Sequence, residues 1–398
     1  MINAKYNACV GEESVARVSS LIATAFGGPV KDCEEWVRNQ GLTDLRSVDR
    51  SSDGRADACL RRIEMGQFFG GRSVPMIGIA GVAVAPEARG QGLARWMMRR
   101  ATEEMHDRGE PLSALYASTQ PLYRQVGYEQ AGHRVAFTLP VNEIDCRERC
   151  GNGGRWESIT FEQVERLMPV YKQFASRFSG PLDRGPYVWK RVFDWRSRKA
   201  IGYASVGSDG RVEGYAVVAQ KQKDTGRITI EVTDMAFVDA DAGRRVLGML
   251  HDYASMADEV TFYGGAHHPL LSLLAQQRSV GTFKEYWMLR VVRPADALRL
   301  RGYNPAVDTE LHLHITDDTL PGNTGPLVVR VKAGRAEVST GGRGEIRLTE
   351  RSLASLYSGF SSPATLRLAG MIEGPESAVA AAGMVFGGDG SPWMPDFF

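Results

Sequence analysis

The stretch Val82-Ala83-Val84-Ala85-Pro86-Glu87-Ala88-Arg89-Gly90-Gln91-Gly92-Leu93-Ala94 constrains this chain more than any other. It joins an apolar, β-branched run, Val74 to Val84, to a strong amphipathic helix expected over Leu93 to Arg108, with Leu93, Trp96, Met97, Ala101 and Met105 on one face. The apolar run reads as a strand buried on both faces, or as a strand, turn and strand interrupted at Gly78 and Gly81. A helix start leaves backbone N–H groups unpaired, and its dipole favours negative charge. Gly90 and Gly92 let a phosphate approach the backbone closely. The physics is that of an anion cradle. No Gly-Lys-Ser/Thr follows, so it is not a Walker loop. The third glycine and later acidic residue of a dinucleotide fingerprint are also missing.

Size and charge narrow the field. A chain of 398 residues predicts two or three domains. With 48 Lys+Arg against 47 Asp+Glu the formal net charge is +1, which argues against nucleic-acid binding and against a polybasic membrane anchor. The longest apolar uncharged run, Ser73 to Pro86, falls short of the roughly 20 residues that cross a bilayer. The first residues lack the apolar core of a signal peptide. Cys9, Cys33, Cys59, Cys146 and Cys150 are an odd, scattered set and no disulfide framework. A cytoplasmic protein is expected.

The first third alternates helix and strand: helices over Glu12 to Ala25 and from Val30, strands over Leu112 to Ala117 and Val135 to Pro140. Gly151 to Gly154 reads as a linker. A second αβ region follows, with a helix over Phe161 to Phe178, a hairpin of Ala200 to Val206 and Val212 to Gln220, and a strand over Ile228 to Val238. A helix over Arg244 to Met256, a strand over Val260 to Tyr263 and a last strand over Tyr286 to Arg293 complete it. The order suggests a diverged repeat of the first third. Beyond Pro294 the pattern becomes an antiparallel α+β module, with a helix over Leu348 to Gly359 capped by Thr349 or Glu350. The end, with Trp393, Met394, Phe397 and Phe398, is too apolar for a frayed tail and is expected to dock.

Arg89-x-x-Gly92-x-Ala94 after Val-x-Val-x-Pro resembles the pyrophosphate loop of the GNAT acetyltransferase superfamily. The segment Ser118 to Tyr128, with Tyr123-Arg124-Gln125-Val126-Gly127-Tyr128, resembles the region where that family sets a tyrosine near the cofactor sulfur. The whole-chain layout resembles the enhanced intracellular survival (Eis) acetyltransferases. That likeness implies two tandem GNAT folds, a catalytic one over 1–150 and a degenerate one over 155–293. A sterol carrier protein-like α+β domain over 294–398 follows and carries an active-site tail. In the second region the corresponding turn, Asp239 to Arg245, has one glycine and two acids, and reads as silent.

The resemblance implies acetyl-CoA as co-substrate and direct N-acetylation of an amine on a small molecule or a peptide lysine. It implies a homo-oligomer, a hexamer by analogy, while the charge balance leaves neither nucleic acid nor membrane as an expected partner. Backbone groups of Val82, Ala83 and Val84 would hold the pantetheine. Arg89, Gly90, Gln91, Gly92, Leu93 and Ala94 would hold the pyrophosphate with Arg95 beside it, and Ser118 and Thr119 would flank the thiol end. Tyr123 is the expected general acid, because a phenol of pKa about 10 is protonated at neutral pH and can donate to a leaving thiolate; Tyr128 would pack. The terminal carboxylate of Phe398 would be the general base, its low intrinsic pKa raised by aromatic surroundings, with Glu64 as the rival. Phe26 and Trp36 are candidate pocket walls. Acidic residues that would hold a polycationic aminoglycoside are missing, since Phe397 precedes the last residue and Gly27-Gly28 follow Phe26. The alternative is a binding protein for an apolar ligand with a vestigial acetyltransferase domain. His267-His268 and His312-x-His314 lack further ligands at metal-binding spacing, as does the pair Cys146 and Cys150, so no metal is expected.

Overall fold

A computed structural model describes residues 2, 4–39, 42, 44–50, 56–144, 155–195, 198–388 and 390–398; the Gly151 to Gly154 linker, Cys146 and Cys150 lie outside them. The first region comprises β1 (Lys5–Ala8), α1 (Gly11–Phe26), α2 (Val30–Asn39), β2 (Leu45–Asp49), β3 (Ala58–Phe69), β4 (Arg72–Val84), α3 (Leu93–Asp107), β5 (Leu112–Tyr116), α4 (Gln120–Arg124) and β6 (Glu129–Pro140). The second comprises β7 (Arg155–Ile159), α5 (Met168–Ala175), β8 (Leu182–Asp183), α6 (Pro186–Phe193), a ribbon of β9 (Asp194–Trp195) and β10 (Arg198–Lys199), β11 (Ile201–Val206), β12 (Val212–Gln222), β13 (Ile228–Phe237), α7 (Ala240–His251), β14 (Ala257–Gly264) and β15 (Val280–Val291). The third holds α8 (Pro294–Leu300), β16 (Thr309–Thr316), β17 (Gly325–Lys332), β18 (Arg335–Thr340), β19 (Ile346–Thr349), α9 (Glu350–Ser358), α10 (Pro363–Leu368), β20 (Ile372–Glu373) and α11 (Glu376–Phe386), before an extended tail.

The first two regions share one sheet, in the order β1-β2-β3-β4-β5-β15-β6-β14-β13-β12-β11-β7, with β8 against β3. Two parallel pairs, β4 with β5 and β13 with β14, each frame a crossover helix, α3 and α7. These are the two repeats. Their closing strands are exchanged. The last strand of the second region, β15, sits between β5 and β6, pairing Trp287 with Tyr116 and again with Gly132. β6 in turn pairs with β14, Phe137 opposite Phe262. Both closing strands are longer than the sequence pattern suggests, starting at Glu129 and Val280. The third region forms its own sheet, β18-β17-β16-β19-β20.

Local chemistry sets the element ends. α1 buries Val15, Val18, Leu21 and Ile22 and stops at Gly27, whose φ of 77° suits glycine. Val74 to Val84 is one strand, not two. The expected helix over Phe161 to Phe178 is instead a 3-10 turn, Phe161–Arg166, and then α5, because Pro169 suits a helix start and not its interior. α7 begins at Ala240, four residues before the expected Arg244, because the Asp239 side chain caps it by accepting from the Ala242 N–H at 2.9 Å. Thr349 caps α9.

Three cores follow from these layers. One, with Val15, Met97 and Leu115, lies between the first sheet and α1 and α3. The second fills the second region. The third joins the opposite face of the first sheet, with Ile63, Met76 and Ala114, to the third region. Arg290 of β15 bonds both oxygens of Asp317 at 2.7 and 2.6 Å with both side chains fully buried, which locks that interface.

Candidate active site

β4 and β5 pair only at Met76, Ile77 and Gly78, opposite Leu112, Ser113 and Ala114. From Ile79 onward, β4 has no strand partner on that side among the described residues. A bulge near Gly81 drives the separation: Ala83 pairs with Cys59 and Ala80 with Arg61, so one strand carries an extra residue. Gly81 takes a φ of 58° there, and a β-carbon on it would lie 3.1 Å from Trp36. The open edge of β4, through Val82, Ala83 and Val84, leaves room for an extended arm to add as a strand.

The slot runs to the N-terminus of α3. The turn Pro86–Ala88 leads into Gly90 and Gly92, with φ of 73° and 75°, both outside the range that suits L side chains. Gly92 caps α3 with no side-chain bond. The N–H groups from Gly90 to Ala94 donate to no other backbone group among the described residues. Arg89 is held by its Nε to the Val84 carbonyl at 3.2 Å, and the Gln91 side chain by the Glu87 carbonyl at 3.0 Å and by Arg50. Leu93 is buried, so its contribution to an anion is its backbone. Arg95 is exposed and lines, with Arg99, Arg124 and Arg351, a cavity of about 390 Å³. Arg99 and Arg100 are both paired with Glu103 on the solvent face. The free amides, the glycines and the positive end of a 15-residue helix fit a pyrophosphate, and the open strand edge fits the arm that follows it.

At the apex the two faces of the sheet carry different groups. On the α3 face the Tyr128 and Ser113 hydroxyls share a hydrogen bond at 2.7 Å, and Ser113 donates to the Ile77 carbonyl at 2.8 Å. Tyr128 is a structural brace. The Tyr123 ring lies 6.2 Å from it, edge to face. Tyr123 is 4% exposed, and burial pushes its phenol up to about 12. Its hydroxyl makes no hydrogen bond within the described residues, so its proton is uncommitted. Ser118 and Thr119 are exposed at the start of α4.

On the other face sits the tail. Trp393 donates to the Ser179 carbonyl at 3.1 Å, and Met394 to that of His133 at 3.2 Å. Tyr116 donates to the Asp396 carbonyl at 2.7 Å and its ring lies 4.9 Å from Phe397 and 5.8 Å from Phe398. Phe398 is 7% exposed, and a β-carbon on Gly78 would meet its ring at 2.7 Å. The tail therefore ends against the last paired residue before the slot opens. Gly78 pairs with Ile63, so Glu64 projects to the opposite face. The register removes Glu64 as a rival beside Phe398. Trp36 packs edge-on at the bulge under the Arg61 guanidinium, and Phe26 is 60% exposed at the end of α1.

His268 and His312 have structural employment. His268 Nδ1 accepts from the Leu270 N–H and its ring packs on Trp393, while His312 Nδ1 accepts from the Arg343 N–H. Sequence reasoning read Gly78 only as a strand interruption and did not single out Tyr116 or Arg184; all three lie against the tail. The available signal was Asp396, a charge among apolar tail residues that has to find a buried partner.

The chain resembles known proteins along its whole length. Acetyltransferase (GNAT) domains match residues 9–131 and 180–291, and a sterol carrier protein domain matches residues 294–395. A crystal structure of a GCN5-related N-acetyltransferase from Anabaena variabilis superposes with a TM-score of 0.92 at 32% identity, covering 99% of this chain and 100% of that one. The chain belongs to the GCN5-related N-acetyltransferases. An uncharacterized N-acetyltransferase of Streptomyces coelicolor is 28% identical, covering 97% of this chain and 98% of its own length. N-acetyltransferase Eis of Mycobacterium tuberculosis is 26% identical over 76% of each chain. This GNAT enzyme therefore has the Eis-like layout of two acetyltransferase domains and a sterol carrier protein-like domain, and acetyl-CoA is its implied co-substrate. Among the described residues, no helix is long and apolar enough to cross a membrane.

Proposed function

We propose that the enzyme transfers the acetyl group of acetyl-CoA directly to a single amine on a neutral or anionic body. The observation that carries this is the slot itself, with the Phe398 ring against Gly78 at its start on one face of the sheet and the Tyr123 ring, edge to face on Tyr128, on the other. Acetyl-CoA supplies the thioester. The α-carboxylate that Phe398 carries when the chain stops there takes the proton of the attacking amine. The new C–N bond forms as the C–S bond breaks, and Tyr123 gives its proton to the departing thiolate. A covalent detour through cysteine has no support. Cys59 lies at the bulge, donating to the Gly81 carbonyl at 3.7 Å, and burial pushes it up to about 12, far from a thiolate.

The charges beside the tail support the acceptor class. Asp396 is paired with Arg184 and Glu285 with Arg134, while Arg191 donates to the Phe397 carbonyl at 3.0 Å. A polycation needs several uncommitted carboxylates, and these are spoken for. The third region closes over its own sheet, with Leu353, Leu356, Tyr357, Val385 and Phe386 buried, which fits a structural role better than an apolar-ligand carrier. The second region lacks a free anion cradle because Asp239 caps α7, and we read it as catalytically silent.

The test is thiol release from acetyl-CoA against a panel of monoamines, amino-acid and peptide amines, polyamines and aminoglycosides. Release is expected with monoamines or peptide amines and not with aminoglycosides. Gly92→Asp, which sets a carboxylate in the cradle, is expected to abolish acetyl-CoA binding by calorimetry. A folded Gly92→Asp protein of unchanged affinity, or a preference for polycations, would sink the reading.

A further inference from the structure

The second region keeps the frame of a slot. β13 and β14 pair in parallel from Ile228 to Glu231 and then part, as β4 and β5 do beyond Gly78. A bulge opposite Val217 and Val218 adds Thr233 to β13, as the first bulge adds a residue near Gly81. Yet this second slot is full. Val232 to Met235, Phe262 and Tyr263 surround a residual cavity of about 20 Å³, closed by Trp393 and Pro395 of the tail. That is room for about one water and not for a pantetheine arm. Trp393 lies 5.5 Å from His268 and 5.3 Å from Phe178, and Gly265 leaves it space: a β-carbon there would stand 2.4 Å from the indole.

One cation ties this filled slot to the tail. The Arg184 side chain is fully buried. It donates to both oxygens of Asp234 on β13, at 2.6 and 2.7 Å, and through Nε to Asp396 at 3.0 Å, with Nη2 in ion-pair contact with Asp396 at 2.9 Å. Its guanidinium lies 3.8 Å from the Tyr171 ring centroid and 4.8 Å from that of Trp189. Tyr215 donates to Asp234 at 2.6 Å and completes the shell. Buried ion clusters often add little stability over apolar packing; what this one fixes is the position of Asp396 against β13. Asp396 stands two residues before Phe398, about 7 Å of extended chain.

We propose that the second domain is a cofactor slot converted into a socket for the C-terminal segment, with Arg184 as the positioning residue that sets where Phe398 ends. The catalytic consequence rests on the carboxylate reading above; the socket itself does not. The geometry also supplies a clean perturbation. Removing the charge of Asp396 leaves Arg184 and Asp234 as a one-to-one pair, so the core of the second domain keeps its balance.

The experiment is Asp396→Asn, with Arg184→Lys as the conservative companion, read in two ways. Deuterium uptake over residues 391–398 reports docking through the bonded amides of Trp393 and Met394. Steady-state kinetics report positioning. Asp396→Asn is expected to speed exchange of those amides about tenfold or more. It is also expected to lower kcat about tenfold or more, with KM for acetyl-CoA held within about twofold. Arg184→Lys keeps the charge and is expected to fall between the wild type and Asp396→Asn in both. A general loss of structure would raise uptake elsewhere and move KM as well. Unchanged uptake over 391–398 in Asp396→Asn overturns the socket, whatever kcat does. Faster uptake with full kcat upholds the socket and overturns the carboxylate reading instead.

Discussion

Tyr123 was legible in the sequence as a phenol at the end of a strand-helix-strand motif, and its proposed role as the acid fits its surroundings. Its hydroxyl has no hydrogen-bond partner among the described residues, and burial pushes it up to about 12. Tyr128, by contrast, is bound to Ser113. Tyr123→Phe is expected to lower kcat by roughly 10² to 10⁴ with acetyl-CoA affinity kept, and Tyr128→Phe to do less. The raised phenol also fixes a pH expectation. A donor acts while protonated, so its contribution is complete below about 12 and is lost only above it. No alkaline fall in kcat from this group is expected up to pH 10. A titration of kcat with a midpoint near 9, absent in Tyr123→Phe, would contradict the burial found here. The Arg184 pairing was not legible, because its partners lie 50 and 212 residues away in sequence and no local period records them.

At the scale of elements, helices with a clear apolar stripe were readable to within a residue or two, as α1 and α3 show. The misses have physical causes. Pro169 divides the helix expected over Phe161 to Phe178, and the Asp239 cap lengthens α7 at its start. The exchange of β6 and β15 was invisible for a deeper reason: alternation marks a strand and its faces but not its neighbours. The domain limits drawn at 150 and 293 follow the chain, whereas the sheet crosses them. Between β5 and β6 lies β15, with Trp287 fully buried against Gly132. Residues 1–150 made alone would expose the facing edges of β5 and β6, an aggregation hazard. They are expected to be insoluble, and co-production with residues 151–398 to restore a soluble complex. A monomeric, folded 1–150 fragment by light scattering and circular dichroism would show that the exchange is dispensable.

On the proposed reading, each region of the molecule has a share in one site. The first region supplies the slot, the amides of Gly90 to Ala94 and Tyr123. The second keeps the frame of a slot and holds the tail in it through Arg184 and the pocket around Trp393. The third carries the tail and is locked to β15 by Arg290 and Asp317. The aromatic tail was readable as a docking element, since four bulky apolar residues in six do not stay in water. Its route was not, because it depends on the gap left beside His133 where β14 stops at Gly264. The proposed chemistry depends on where that route ends. The direct measurement is kcat for three chains: one ending at Phe398, one extended by a few residues beyond it, and Phe398→Ala. Extension converts the carboxylate to an amide, which takes no proton, whereas Phe398→Ala keeps a carboxylate at the same chain position. The extended enzyme is expected to lose at least about 10² in kcat while still binding acetyl-CoA, and Phe398→Ala to lose much less. An extended enzyme with full turnover would contradict that chemistry.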